Sequence, residues 1–293
     1  MLNSLLTINI PLDPNLFDIG GLEVTWHGLL SALGVVTGVV VAAFFARRAG
    51  FPEDTIYNIA LALVIGGIIG ARGLFVIEHW DRFEDDLGDI FSINAGGISV
   101  YGAYIGGILA ATAYAFWRRV PNKWKAADIA GLGAIFGQAV GRIGDLINGE
   151  HWSEPTSLPW AVRYTDADST GRLNPFGPDV AVHPAVAYEL LGDLAVFLVL
   201  LLVYRLSRRS GLTFMAWVFL YGGLRLGVGF LRLDDIAWAG LRTHQIVAIV
   251  TMVMALAGAI YLAVSSPPTG PTRAERRRLA RAERRRLSRP GGS

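Results

Sequence analysis

Gly137-Gln138-Ala139-Val140-Gly141-Arg142-Ile143-Gly144-Asp145-Leu146-Ile147-Asn148-Gly149-Glu150-His151-Trp152 closes a segment that is otherwise long and apolar enough to cross a bilayer. An arginine lies inside that segment, and Asp145, Asn148 and Glu150 follow it within eight residues. An ionised side chain at membrane depth costs at least about 2.5–3.5 kcal/mol, so it normally faces a bundle interior and serves a purpose. The order, arginine and then Asn-Gly-Glu just beyond it, predicts a charged pocket near one membrane face. That pocket is where function is to be sought.

The rest of the chain supports a membrane setting. Of 293 residues, 53% are hydrophobic and 17% charged, whereas a soluble domain carries roughly 25% charged residues. There is no cysteine, which excludes disulfides, thiolate catalysis and cysteine metal sites. The five histidines, His27, His79, His151, His183 and His244, lack the spacing of a ligand set, so neither a metal nor another cofactor is expected. The first 26 residues have no basic region ahead of an apolar stretch and do not read as a cleaved signal peptide.

Seven windows of about 20 mostly apolar residues qualify as spans: 27–46, 56–77, 97–117, 126–147, 184–204, 212–231 and 244–264. The expected fold is therefore an all-α polytopic membrane protein with seven transmembrane helices. Arginine and lysine follow the odd-numbered spans, at Arg47 and Arg48, at Arg118 to Lys125, and at Arg205 to Arg209. The other connections are acidic or mixed, which places the amino terminus outside and the carboxyl terminus in the cytoplasm. Residues 1–265 form the transmembrane domain. The tail 266–293 holds nine arginines and two glutamates between Arg273 and Arg289. It reads as a disordered segment or surface helix on anionic headgroups, not as a nucleic-acid site. Glycines four apart, at Gly34/Gly38, Gly66/Gly70, Gly102/Gly106, Gly133/Gly137/Gly141 and Gly223/Gly227, predict close helix packing. The one long connection, 149–183, follows the charged pocket directly and is a candidate lid or substrate platform.

The ionisable residues at membrane depth are Arg72, Arg142, Asp145, Glu189, Asp193 and Arg225, with Tyr101, His183 and Tyr221 beside them. Arg142/Asp145 and Tyr221/Arg225 each share a helical face. The structural alternative is a salt-bridge network that neutralises charge inside the bundle. Three arginines against few acids favour an unfilled anionic partner, and the planar guanidinium fork suits a lipid phosphate.

Gly141-Arg142-Ile143-Gly144-Asp145-Leu146-Ile147-Asn148-Gly149-Glu150-His151-Trp152 resembles the defining motif of the prolipoprotein diacylglyceryl transferases. The likeness runs over about residues 10–265. It takes in Ile10 to Pro14, Trp26-His27-Gly28-Leu29, Gly70-Ala71-Arg72, Gly96-Gly97 through Tyr101 to Ala103, His183-Pro184 with Tyr188-Glu189, and Tyr221-Gly222 with Arg225. The family usually carries tyrosine at His27, asparagine at Asp145, glycine at Ser153 and a glutamate at Gly229; serine and glutamine stand where this chain has Ala185 and Val186. Asp145 is the candidate replacement for the carboxylate absent at position 229.

The resemblance implies an enzyme of the bacterial inner (plasma) membrane. Such an enzyme moves a diacylglyceryl group from phosphatidylglycerol to the lipobox cysteine thiol of a prolipoprotein, at its signal-peptide region. Arg142 and Arg225 would hold the phosphate, Tyr101 and Glu150 would assist catalysis, and Arg72, Asp145, Asn148, His183 and Tyr221 would bind substrate. Two other readings remain: a transporter or lipid-binding protein using the same buried charges, and a paralogue with another donor or weakened catalysis.

Overall fold

The computed structural model describes residues 7–20, 22–84, 86–91 and 97–265. Gly96 of the glycine motif and the basic tail 266–293 lie outside these residues. Seven long helices are present: α1 Trp26–Arg48, α2 Glu53–Glu78, α3 Val100–Trp117, α4 Lys123–Asn148, α5 Ala185–Leu206, α6 Leu212–Gly229 and α7 Thr243–Ser265. Each predicted window contains one of them, with ends agreeing to within about three residues.

Six of the seven are long and apolar enough to cross a membrane, and the chain is a multi-pass membrane protein. The exception is α4, which carries Lys123, Lys125, Asp128, Arg142 and Asp145. At 26 residues it is about 39 Å long, ample for a bilayer core of about 30 Å. Its polarity follows from its place in the bundle. It packs on α1, α5 and α6, and Asp128, Ile129, Leu132, Ile135 and Asp145 are all buried. A helix wrapped by other helices meets little lipid and tolerates polar groups that a peripheral helix cannot.

Glycine sets the closest contacts. A Cβ on Gly38 would lie 2.8 Å from the Gly133 carbonyl oxygen, and Gly34 meets Gly137 in the same way. Gly66 and Gly70 of α2 face Gly106 and Gly102 of α3. Four of the five predicted glycine sets thus form two helix–helix seams. The fifth does not: among the described residues nothing approaches within 4 Å of a Cβ placed on Gly227.

The all-α expectation needs one amendment. Among the described residues six short strands lie between the helices: β1 Ile8–Ile10, β2 Asn15–Ile19, β3 Leu22–Thr25, β4 Val162–Tyr164, β5 Ile236–Trp238 and β6 Leu241–Arg242. They form three two-stranded pieces, β1 parallel to β4 and two hairpins, β2–β3 and β5–β6. All belong to the connections at the end of the bundle where α4 terminates. The 149–183 segment is built down onto that end. Tyr164 OH donates to the Leu146 carbonyl at 3.0 Å, and Thr170 Oγ1 to that of Asn148 at 2.8 Å. These bonds satisfy carbonyls that a helix C-terminus leaves without intrahelical partners. Gly149 makes the fit possible: it adopts φ 79°, and a Cβ there would lie 2.6 Å from the Gly171 nitrogen.

Candidate active site

The last two turns of α4 present Arg142 and Asp145 on one face, and a continuous ionic network grows from them. Arg142 Nη1 donates to Asp145 Oδ2 at 2.7 Å. Its Nη2 stands 2.9 Å from Glu189 Oε2, on the second turn of α5. The other oxygen of Glu189 takes Arg225 Nη1 from α6, and Arg232 Nη1 lies 3.5 Å from it. Glu189 is 1% exposed, so one buried carboxylate is shared by three guanidinium groups. Arg232 continues outward to Asp234, at 2.8 Å from Nε, and to His151 Nδ1, at 2.8 Å from Nη2.

Arg232 and Glu189 are the components that the sequence reading did not place in the site. Glu189 was visible as an acid at membrane depth without an assigned partner. Arg232 lies just past the sixth window, in the turn that follows α6, where its backbone bridges to Ser153. Three arginines, Arg232 buried and Arg142 and Arg225 partly so, therefore meet three carboxylates, Glu189, Asp145 and Asp234. The expected excess of buried arginine is absent, and charge counting alone does not require an anion. Arg142 Nε is buried without a hydrogen-bond partner among the described residues.

The proposed exchange between Asp145 and position 229 is also revised. Asp145 Oδ1 faces His27 Nδ1 at 2.7 Å and its Oδ2 faces Arg142; the carboxylate on Arg225 is Glu189. A Cβ at Gly229 would meet the His244 ring, 3.1 Å from Cδ2, and Gln245 Cγ at 3.0 Å. His244 occupies the space that a longer side chain at 229 would need.

The other predicted residues divide into two groups. Asn148 Nδ2 donates to Glu150 Oε1 at 2.7 Å, and Glu150 lies 3.4 Å from His27 Nδ1, so both border the network. Tyr221 is close enough to Arg142 and Arg225 to interact with them electrostatically. It also senses Tyr104 of α3. Tyr101, three residues before Tyr104, shares its helical face and is 42% exposed; no hydrogen bond ties it to the arginines among the described residues. Arg72 and His183 are engaged elsewhere. Arg72 donates to the carbonyls of Ile90 (2.8 Å), Asp89 (2.6 Å) and Gly97 (2.8 Å), holding the α2–α3 connection. His183 Nδ1 lies 3.3 Å from Tyr188 OH.

Outside the helices, electrostatics fix two protonation states. Burial, reinforced by the Arg232 guanidinium, pushes His151 down to about 4, so it is neutral at physiological pH and accepts from Arg232. Burial pushes the Asp234 carboxyl up, but the Arg232 guanidinium outweighs it and holds the group below its ordinary value. His151 takes a left-handed backbone, φ 65°, uncommon for a residue with a side chain. Among the described residues, His27, Asp145 and Glu150 offer ligand atoms within 4.8 Å of one another. Each is already committed, to Asp145, Arg142 and Asn148 respectively.

Membrane-length helices that enclose an arginine–carboxylate centre, roofed at one end by the chain's own connections, define a multi-pass membrane protein with a buried polar site. The model of the family described as prolipoprotein diacylglyceryl transferase matches residues 14–261, and the chain belongs to that family. It is 35% identical over 239 residues to the phosphatidylglycerol–prolipoprotein diacylglyceryl transferase of Finegoldia magna, covering 81% of this chain and 90% of the relative. The protein of that name from Clostridioides difficile is 32% identical over 246 residues, 84% of this chain and 94% of the relative. That from Trichormus variabilis is 34% identical over 265 residues, 87% and 91%.

Proposed function

We infer that the protein transfers a diacylglyceryl group from phosphatidylglycerol to the lipobox cysteine of prolipoproteins, forming a thioether and releasing glycerol phosphate. One observation carries the reading: Arg142 and Arg225 converge on opposite oxygens of a single buried carboxylate, Glu189. Glu189 sets the spacing of the two guanidinium groups. Both arginine side chains keep some exposure, 12% for Arg142 and 18% for Arg225, through which a phosphate reaches them. Positive charge fixed before the reaction is most effective where negative charge grows, here on the departing phosphate oxygen. Tyr221, Asn148 and the exposed Tyr101 hydrogen-bond the headgroup, and Glu150 borders the acceptor thiol. Arg72 and His183 act at one remove, by holding the connections that frame the lipid entrance.

The protein sits in the bacterial inner membrane with seven crossings, α4 included. The amino terminus is outside, and the basic tail is in the cytoplasm against anionic lipid. The ends of α1, α3 and α5 carry the basic residues and cluster with the starts of α4 and α6, as in the Asn122–Ser210 hydrogen bond of 3.1 Å. Residues 1–265 form the transferase domain, with the site in the outer half. The purified protein, incubated with phosphatidylglycerol and a prolipoprotein, should shift the prolipoprotein on a gel. No shift with phosphatidylglycerol, or an equal shift without it, would remove this reading.

A further inference from the structure

Two titratable side chains from different helices touch each other. His27 stands in the first turn of α1 and Asp145 in the last turn of α4, and Nδ1 and Oδ1 are 2.7 Å apart. Gly144 allows the approach: a Cβ there would lie 2.9 Å from His27 Cα and 3.0 Å from the Trp26 carbonyl oxygen.

We propose that His27 accepts the proton of the acceptor thiol, with Asp145 as its positioning residue; this rests on the transferase reading above. Asp145 is held from its other side by Arg142, at 2.7 Å, and its side chain is 9% exposed against 42% for His27. A carboxylate on Nδ1 takes the N–H of that nitrogen and leaves the lone pair on Nε2. Nε2 has no hydrogen-bond partner among the described residues. The groups acting on the ring are Asp145, Glu150 and Arg142, all from α4 or the residues just after it.

Three of the other histidines at this end are committed: His151 accepts from Arg232, His183 is placed on Tyr188 and His79 stacks on Phe75. His244 faces Asp234 through Nδ1, and its Nε2 has no partner among the described residues but is buried, out of reach of a thiol. Tyrosine, with an ordinary pKa near 10, is a poor base at neutral pH. His27 alone shares a carboxylate with a phosphate-binding arginine.

In the step, the cysteine S–H proton passes to Nε2 as sulfur attacks the glycerol carbon bonded to the phosphate oxygen. The S–C bond forms and the C–O bond breaks, its electron pair leaving on glycerol phosphate held by Arg142 and Arg225. Asp145 stabilises the imidazolium, which returns the proton to the phosphate monoester.

The test uses the full-length protein in phosphatidylglycerol–detergent micelles, with a lipobox peptide bearing one cysteine as acceptor. His27→Gln keeps a polar group against Asp145 but removes the base. Turnover at pH 7 should fall about 10²–10⁴-fold, with the KM for lipid nearly unchanged. The deficit should shrink as pH approaches 9, because the thiol ionises unaided above about 8.5. Asp145→Asn should lower turnover less. Parent-like turnover of His27→Gln at pH 7, or a deficit constant from pH 6.5 to 9, overturns the proposal. So does activity abolished by a chelator and restored by zinc, which would place a metal on the imidazole. If the parent itself forms no thioether, the transferase reading and this one fall together; an active parent with an unaffected His27→Gln removes only the base.

Discussion

Glu189→Gln removes the charge on which three arginines converge while keeping the size of the side chain. Glu189 Oε1 serves Arg225 and Arg232 and Oε2 serves Arg142. A glutamine can satisfy one side only, because its amide nitrogen is a donor facing another donor. At an effective dielectric of about 20, unit charges about 4 Å apart attract by about 4 kcal/mol. The three attractions are offset by mutual repulsion of the arginines and by the several kcal/mol needed to desolvate the ions. Removing one partner of a buried ionic cluster leaves a net loss of about 3–5 kcal/mol. That is a large share of the roughly 5–15 kcal/mol that stabilises a typical folded protein.

The loss is not shared equally. Arg142 keeps Asp145 and Arg232 keeps Asp234, whereas Arg225 has no other carboxylate among the described ion pairs. Unfolding in mixed micelles, followed by tryptophan fluorescence against denaturing detergent, gives the stability difference. A double-mutant cycle with Arg225→Gln isolates the pair, and its coupling should exceed that of Glu189 with Arg232. Glu189→Gln stability within about 1 kcal/mol of the parent, or no coupling to Arg225, would refute the view that Glu189 organises the site.

Arg142→Lys and Arg225→Lys should each lose about 10²–10³ in turnover with a smaller change in lipid KM, because lysine keeps the charge but not the fork; near-normal turnover in both would make these arginines structural. Reporter fusions after Arg209 should read cytoplasmic and fusions between Asp166 and Gly177 external, and the reverse pattern would move the site to the inner leaflet. His151 is depressed to about 4, so the unfolded chain binds a proton below about 6.5 that the folded chain refuses. Its contribution is intact above pH 6.5 and is lost as pH falls toward 4, by at most on the order of 3 kcal/mol; His151→Asn should flatten stability over that window, and an unchanged slope would argue against a buried neutral imidazole. Asp145→Asn should cost about 1–2 kcal/mol, less than Glu189→Gln, since the amide oxygen still accepts from Arg142, and the unfolding assay ranks the two.

The helices were legible in the sequence because their apolar runs match bilayer thickness, and α4 was legible despite its charges because its length survived them. Its central position was not legible. Hydropathy measures what meets lipid, and nothing in α4 alone states that α1, α5 and α6 enclose it. Arg142 and Arg225 were recognisable one at a time as misplaced charges. Their meeting on Glu189 was not, since 47 and 36 positions separate them from it along the chain. The β1–β4 pairing also escaped notice: strands of three residues, Ile8–Ile10 and Val162–Tyr164, are too short to show an alternating pattern.

Four of the six positions at which this chain departs from the pattern expected of the family, His27, Asp145, Ser153 and Gly229, lie around one ionic network. His27 and Asp145 bond to each other, Ser153 bridges to Arg232, and Gly229 lies against His244, whose Nδ1 is 3.4 Å from Asp234. Glu189, Asp145 and Asp234 balance Arg142, Arg225 and Arg232 one for one, with Glu189 on Arg225. Asp145 bonds His27 through Oδ1 and Arg142 through Oδ2, so an imidazole–carboxylate pair stands beside the arginine proposed to hold the phosphate.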